Sequence, residues 1–320
     1  MKCFLAANSA EGFISEFGNC YDPTKGWRAY IIKGGPGTGK SSFMRKVLNQ
    51  EKVLDEDRVE VYCASDPDSL DGVIFPKRKT VIIDGTSPHT VEPRLPGIGD
   101  SILDFGAFWN EARLTENRDK ILSLTKENKA LHGGATRYIK AAGEVLAEHI
   151  ARSERNLNHN KASRRREDIV GSFIPEKEGF GRVKNAFLSG ITPKGILSFE
   201  EEISVENRIE IGDVFGAESE QILRGLRDRA VERGYKTVVF KNCILPSFLT
   251  DGIYIPELSL LVYKKHKIAE DALIDELIFR GAENIKAAKE IHDELEGYYI
   301  SAMDFEALNK YTDDFIDERF

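Results

Sequence analysis

No apolar run in this chain approaches the roughly 20 residues a membrane-spanning helix needs. The opening Met1-Lys2-Cys3-Phe4-Leu5-Ala6-Ala7-Asn8 is too short in apolar length for a signal peptide, so the chain reads as cytoplasmic with no membrane partner. Cysteine is scarce, and Cys3, Cys20, Cys63 and Cys243 have no C-x-x-C spacing. Neither a zinc site nor a disulfide framework follows, and the four read as reduced and mostly structural. Positive charge is not in excess. With 45 Lys and Arg against 53 Asp and Glu, a net charge of -8 argues against a surface devoted to nucleic acid, while leaving room for a local basic patch. The 320 residues present suffice for two ordinary domains, each with its own core.

Glycine, by contrast, is concentrated. Gly34-Gly35-Pro36-Gly37-Thr38-Gly39-Lys40-Ser41 fits G-x-x-x-x-G-K-[ST] and lies between the strand-like Ala29-Tyr30-Ile31-Ile32-Lys33 and the helix-compatible Ser42-Phe43-Met44-Arg45-Lys46-Val47. That context predicts a phosphate-binding loop. Its backbone N–H groups point inward, and the helix beginning near Lys40 adds the positive end of its dipole. Gly35, Pro36, Gly37, Thr38, Gly39, Lys40, Ser41 and Ser42 are therefore the expected ATP-binding residues. Lys40 is expected on the β- and γ-phosphates and the Ser41 hydroxyl on Mg2+.

Further on, Val59-Glu60-Val61-Tyr62-Cys63 alternates like a strand and is followed by an acidic loop carrying Asp66, Asp68 and Asp71. Thr80-Val81-Ile82-Ile83-Asp84 is an apolar run ending in a carboxylate, as a strand covered on both faces would be. The expected fold class is thus α/β, a P-loop NTPase domain with a mostly parallel sheet. From about Ile102 to Asp168 the pattern reads as helical, with Gly133-Gly134 as a break between helices. The stretch around Arg164-Arg165-Arg166 reads as a solvated helix end or linker, with a partner contact as the alternative.

Beyond Gly181 the chain repeats itself in worn form. Phe187-Leu188 through Gly195-Ile196-Leu197-Ser198 matches Phe4-Leu5 through Gly12-Phe13-Ile14-Ser15 at one spacing. Ile211, Gly216 and Arg224 match Ile32, Gly37 and Arg45 at a second; Cys243, Asp251, Gly252 and Pro256 match Cys63, Asp71, Gly72 and Pro76 one residue further on. The expected organisation is a nucleotide-binding domain over residues 1–168, a linker over 169–182 and a degenerate copy over 183–320. The copy lacks the chemistry: Val214, Glu218, Ser219 and Glu220 stand opposite Gly35, Gly39, Lys40 and Ser41, and Lys264 opposite Asp84. Carboxylates there would repel phosphate, so no nucleotide is expected in the second half.

In the first half Asp84 is the expected Mg2+-shell carboxylate opposite Ser41. The acidic residue that often follows it in ATPases is replaced by Gly85, so a general base must come from elsewhere. Asp66, nearest the strand end, is the preferred base and Asp68 the second choice, while the retention of Asp71 in the copy marks it as structural. Thr86, Ser87 and His89 follow Asp84 where γ-phosphate-sensing groups belong, and His89 joins Lys40, Asp66 and Asp84 as a candidate catalytic residue. Arg94, Arg137, Arg208, Arg224 and Arg227 are candidates for stabilising transferred phosphate.

These residues resemble a family. The loop at residues 34–41, the C-x-S-D-x-D-S-L-D-G stretch ending in Gly72, Asp84-Gly85-Thr86-Ser87-Pro88-His89 and the T-P-K-G ending in Gly195 are similar to bacterial P-loop ATPases built of two tandem NTPase-like halves. The resemblance implies ATP binding but names no substrate. Three functions follow as expectations: a Mg2+-dependent ATPase coupled to conformational change, a small-molecule or nucleotide kinase using Asp66 or Asp68 with residues 73–79 near the acceptor, or a nucleotide-gated binding protein of little turnover that recruits a partner. No N-K-x-D guanine signature lies near the first site, which favours ATP over GTP.

Overall fold

The computed structural model describes residues 1–54, 56–212, 216–264 and 271–320. In chain order the elements are β1 (Lys2–Cys3), β2 (Ala6–Ser9), β3 (Gly12–Ser15), β4 (Arg28–Lys33), α1 (Lys40–Leu48), α2 (Glu51–Leu54), β5 (Val59–Tyr62), β6 (Leu70–Phe75), β7 (Thr80–Asp84), β8 (Asp100–Asp104), α3 (Glu111–Glu116), α4 (Arg118–Arg155), α5 (His159–Phe173), β9 (Arg182–Phe187), β10 (Ser189–Thr192), β11 (Gly195–Ser198), β12 (Asn207–Ile211), α6 (Ala217–Glu232), β13 (Lys236–Lys241), β14 (Thr250–Ile255), β15 (Leu260–Lys264), α7 (Ala272–Ala302) and α8 (Phe305–Arg319). The protein is α/β with mixed sheets. Among the described residues no helix is long and apolar enough to cross a membrane.

Two compact units emerge, and they do not follow the sequence halves. One comprises Met1, Tyr21–Gly134 and Glu283–Phe320; the other Lys2–Cys20 and Ala135–Ala282. The boundaries differ from the expected 168 and 183 because α4 and α7 are single long helices that each contribute residues to both units. Gly133-Gly134 does not break α4. A cost of about 1 kcal/mol per interior glycine is outweighed in a helix of 38 residues that buries Leu124 before the pair and Ala135 and Ile139 after it. Most of the stretch expected as polar tail and linker is helix α5, which buries Ala162, Ile169 and Val170.

Within the first unit the strands run β5-β6-β7-β4-β8. Pairing is parallel from β7 through β4 to β8 and antiparallel from β5 through β6 to β7. The antiparallel half arises from β6, where the sequence predicts loop: all six of its residues are buried, including Asp71. β8 likewise replaces the expected start of a helix. Its Leu103 turns into the core while Ile102 stays exposed, as an edge strand beside β4 permits. The core joins the sheet and α1 to the chain's last helix, with Phe315 in edge contact with Tyr30 at 4.8 Å and against Phe43 at 5.1 Å between ring centroids.

The second unit has the strand order β12-β15-β14-β13-β9. Its registers answer those of the first. Ile211 pairs with Lys264 as Ile32 pairs with Asp84, and Gly252 pairs with Tyr263 as Gly72 pairs with Ile83. A register shift falls between Phe240 and Lys241 as it does between Val61 and Tyr62. Two hairpins, β2–β3 and β10–β11, also share one register, Ala6 with Ser15 and Ser189 with Ser198. Phe4 and Phe187 exchange both backbone hydrogen bonds at 2.9 and 2.8 Å.

Candidate active site

The site is built at the carboxyl ends of β4 and β7, neighbouring parallel strands of the first unit. The chain leaves β4 at Lys33, makes the loop at residues 34–39 and enters α1 at Lys40. Gly37 and Gly39 have φ of +65° and +85°, the left-handed region that a Cβ disfavours, which is how the loop curls back before the helix. Thr38 is buried and donates its hydroxyl to the Gly35 carbonyl at 2.8 Å, holding the curl. Lys40 donates to the same carbonyl at 2.7 Å and lies 3.6 Å from Asp84 Oδ2. Lysine, loop and strand-end carboxylate are thus brought together as the motif implies. The Ser41 hydroxyl accepts from the Leu70 N–H at 3.0 Å, and Ser42 is exposed.

Asp84 is buried and its carboxylate is aimed by Thr86, which donates both its N–H and its hydroxyl to Oδ1, at 2.9 and 2.6 Å. Asp71, Asp84 and His89, all buried, each bring one ligand-capable atom to within 4.8 Å of the others. His89 Nε2 stands 3.4 Å from Asp71 Oδ2. Burial opposes charge on this imidazole, but the hydrogen bond and charge of Asp71, with the charge of Asp84, outweigh it and raise the His89 pKa above its ordinary value. Asp71, read from the sequence as structural, thus lies beside Asp84 and His89. Asp251, matched to Asp71 in sequence, instead accepts from Asn242 and Ser189.

Asp66 is not brought to this cluster. Its carboxylate accepts from the Asp68 N–H at 3.4 Å and lies 3.5 Å from Lys289 of α7, while Asp68 is exposed and its carbonyl takes the Arg45 guanidinium. Gly85 has a physical reason to be glycine: a Cβ there would lie 2.3 Å from Ile31 Cγ2 and 3.2 Å from the Val91 carbonyl. Lys33 ties down the segment that follows by donating to the carbonyls of Gly85 and Val91 at 2.9 and 2.8 Å and to Glu92 at 2.7 Å. Arg94 packs over the Tyr21 ring and donates to its carbonyl, a structural position, and Arg137 is exposed on α4.

Sequence reasoning missed the contact of α7 with the loop. Glu296 Oε1 accepts from the Gly37 N–H at 3.1 Å. A Cβ on Gly35 would meet the Tyr299 ring at 2.6 Å, and one on Gly37 would meet Ile300 at 2.9 Å. His292 lies 3.4 Å from Glu296. Nothing in a run of polar residues at helical spacing distinguishes these from a solvated face.

In the second unit the residues set opposite the loop by the sequence match are placed differently. α6 begins at Ala217 after Gly216, whose φ is +86°, so the position matching Thr38 is already helical. Glu220, in the place of Ser41, accepts from the Thr250 N–H at 2.5 Å, and Arg224 holds the Phe248 carbonyl at 3.0 Å as Arg45 holds that of Asp68. Arg208 is spent on the carbonyls of Glu200 and Ile203, and Arg227 on Asp228. Val214 lies outside the described residues. The four cysteines are free thiols, and burial pushes those of Cys3 and Cys243 up to about 12. Compared with family models, with curated proteins and with solved structures, the chain matches none.

Proposed function

We propose that this chain is a Mg2+-dependent ATP-binding P-loop protein that hydrolyses ATP in its first unit and couples that state to a conformational change. The observation that carries the reading is Lys40, at the start of α1, 3.6 Å from the carboxylate that ends the adjacent parallel strand. A glycine loop curling into a helix N-terminus, with a lysine and an aspartate converging on its mouth, suits a bound polyphosphate and its cation. The donor set also fits Mg2+: a serine hydroxyl and a carboxylate are hard oxygen ligands, and Asp84 is aimed by Thr86. Ser41 and Asp84 would hold the ion, with Asp71 close by. The ion would supply charge neutralisation for the phosphates.

In this reading Lys40 gives up the Gly35 carbonyl to take phosphate oxygens, and the loop N–H groups bind the rest. His89, held by Asp71, sits where it would donate to the terminal phosphoryl oxygen as charge builds on it. The kinase reading with Asp66 as base loses ground because that carboxylate is turned to Lys289. The second unit, in the same reading, is a degenerate copy of the first, which its matching strand order, registers and Arg224 contact support.

The test is phosphate release from MgATP by purified protein without added acceptor. Wild type is expected to release phosphate, and Lys40→Ala to lose at least about a hundredfold, on the order of 3 kcal/mol of transition-state stabilisation. Equal release by both proteins, or none from wild type in any condition, would count against the proposal.

A further inference from the structure

The most informative contact in the first unit is one that a phosphate-binding loop has no structural need to make. The Gly37 N–H, one of the inward donors of the loop, is taken at 3.1 Å by the carboxylate of Glu296. The rest of that helix face follows the same path. The Tyr299 ring lies against Gly35, the Ile300 side chain and the Glu296 backbone carbonyl lie against Gly37, and two helical turns back from Glu296 Lys289 reaches the Asp66 loop. A carboxylate presents to an amide the same anionic oxygen that a phosphate does, in the same hydrogen-bonding role.

We propose that α7 is a built-in cover of the phosphate loop, with Glu296 acting as an internal anion that nucleotide must displace. The inference rests on the reading of residues 34–41 as a nucleotide loop. Its geometry is that of a competitive gate. The far end of α7 is fixed beside the loop, because Asn110 donates its N–H to the Ala302 carbonyl and Asp304 to the Phe108 carbonyl, each at 2.8 Å. The helix is therefore anchored at the residues just beyond the cover, and what must yield is the Glu296 side chain and the Tyr299 ring. Lys40 is engaged in the same resting arrangement, on the Gly35 carbonyl and Asp84. Incoming phosphate exchanges two internal partners at once, carboxylate for phosphate at Gly37 and carbonyl for phosphate at Lys40. A ligand pays for that exchange in affinity, and removing the internal anion returns it.

The experiment is calorimetric titration of the full chain with MgATP, and separately with inorganic tripolyphosphate, for wild type, Glu296→Ala and the isosteric Glu296→Gln. Glu296→Ala is expected to bind about tenfold more tightly than wild type, the size of one charge-assisted hydrogen bond, and Glu296→Gln, whose amide oxygen still accepts from the Gly37 N–H but carries no charge, about threefold more tightly. Glu296→Gln keeps the shape of the side chain, so it carries the test if the alanine variant does not fold, as judged by circular dichroism. Wild type that binds MgATP as tightly as either variant would overturn the gate and leave the nucleotide reading standing. Variants that bind while wild type does not would support the gate at its strongest. Should none of the three bind, the nucleotide reading itself fails and the gate with it. Loss of phosphate release with unchanged affinity in Glu296→Gln would also overturn the proposal, since Glu296 would then act on the reaction and not on access to the loop.

Discussion

Single residues in the first unit are constrained from two directions, by space and by charge. Gly85 follows the strand-end carboxylate and has no room for a side chain, with Ile31 Cγ2 only 2.3 Å from where a Cβ would be. Gly85→Ala is expected to cost about 1–3 kcal/mol by overpacking a full interior, read as a lower urea midpoint at unchanged slope. An unchanged midpoint would mean that the strand yields freely. Glu296 is constrained by charge. The hydrogen bond from His292 leads in holding its carboxyl below the ordinary value of 4.5, against the opposing effect of burial, and the Gly37 N–H and Lys289 add to it. A carboxyl lowered in the folded state stabilises the contact above its ordinary pKa and loses that contribution as pH falls through the lowered one. Protection of the Gly37 amide against hydrogen exchange, corrected for the intrinsic rate, is therefore expected to fall with acidification below about 4.5 and to hold steady above it. Protection that grew on acidification would contradict the ion's role.

At the scale of elements, α1 and α6 each begin after a glycine of positive φ, Gly39 and Gly216, and differ in where winding starts relative to the sequence match. Lys40 opens α1, whereas α6 is already helical at Ala217, two positions earlier in the matched numbering, and Glu220 caps the Thr250 N–H. Restoring the motif residues by Glu218→Gly, Ser219→Lys and Glu220→Ser in a Lys40→Ala background is expected to create no MgATP binding by calorimetry. Removing the Glu220 acceptor should instead cost about 1–3 kcal/mol of stability. Measurable nucleotide binding by that variant would show that side chains alone separate the two loops. The same elements explain what could be read in advance. The loop at residues 34–41 was legible because its glycines, lysine and serine must occur at fixed spacing, and β4 and β7 because their apolar runs are continuous. β6 was not, since Asp71 and Gly72 look like turn chemistry until His89, far along the chain, gives the aspartate a buried partner. β8 was hidden for the converse reason: its exposed Ile102 and flanking aspartates carry no strand periodicity. The contact of α7 with the loop was illegible in principle, because it depends on which face of a long amphipathic helix meets Gly37.

For the whole molecule, the chief consequence is that neither unit is a continuous piece of chain. The core of the first unit takes Leu308, Phe315 and Ile316 from α8, and Phe320 packs on Phe75. A fragment of residues 1–182 is therefore expected to lack fixed tertiary structure, with Phe43 and Tyr30 deprived of their partners, and to show a weak near-ultraviolet dichroism signal. Co-expression with residues 183–320 should restore the signal, and a cooperative unfolding transition from the short fragment alone would refute the shared core. Ordering in time follows from the same arrangement. On a ribosome the residues of the glycine loop and α1 emerge early, yet their unit's hydrophobic partners in α8 are among the last of these residues to be made. The second unit, all of whose residues are made once residue 282 has left the exit tunnel, can fold while the first is still waiting, so a nascent chain would acquire that unit before the one that holds the glycine loop.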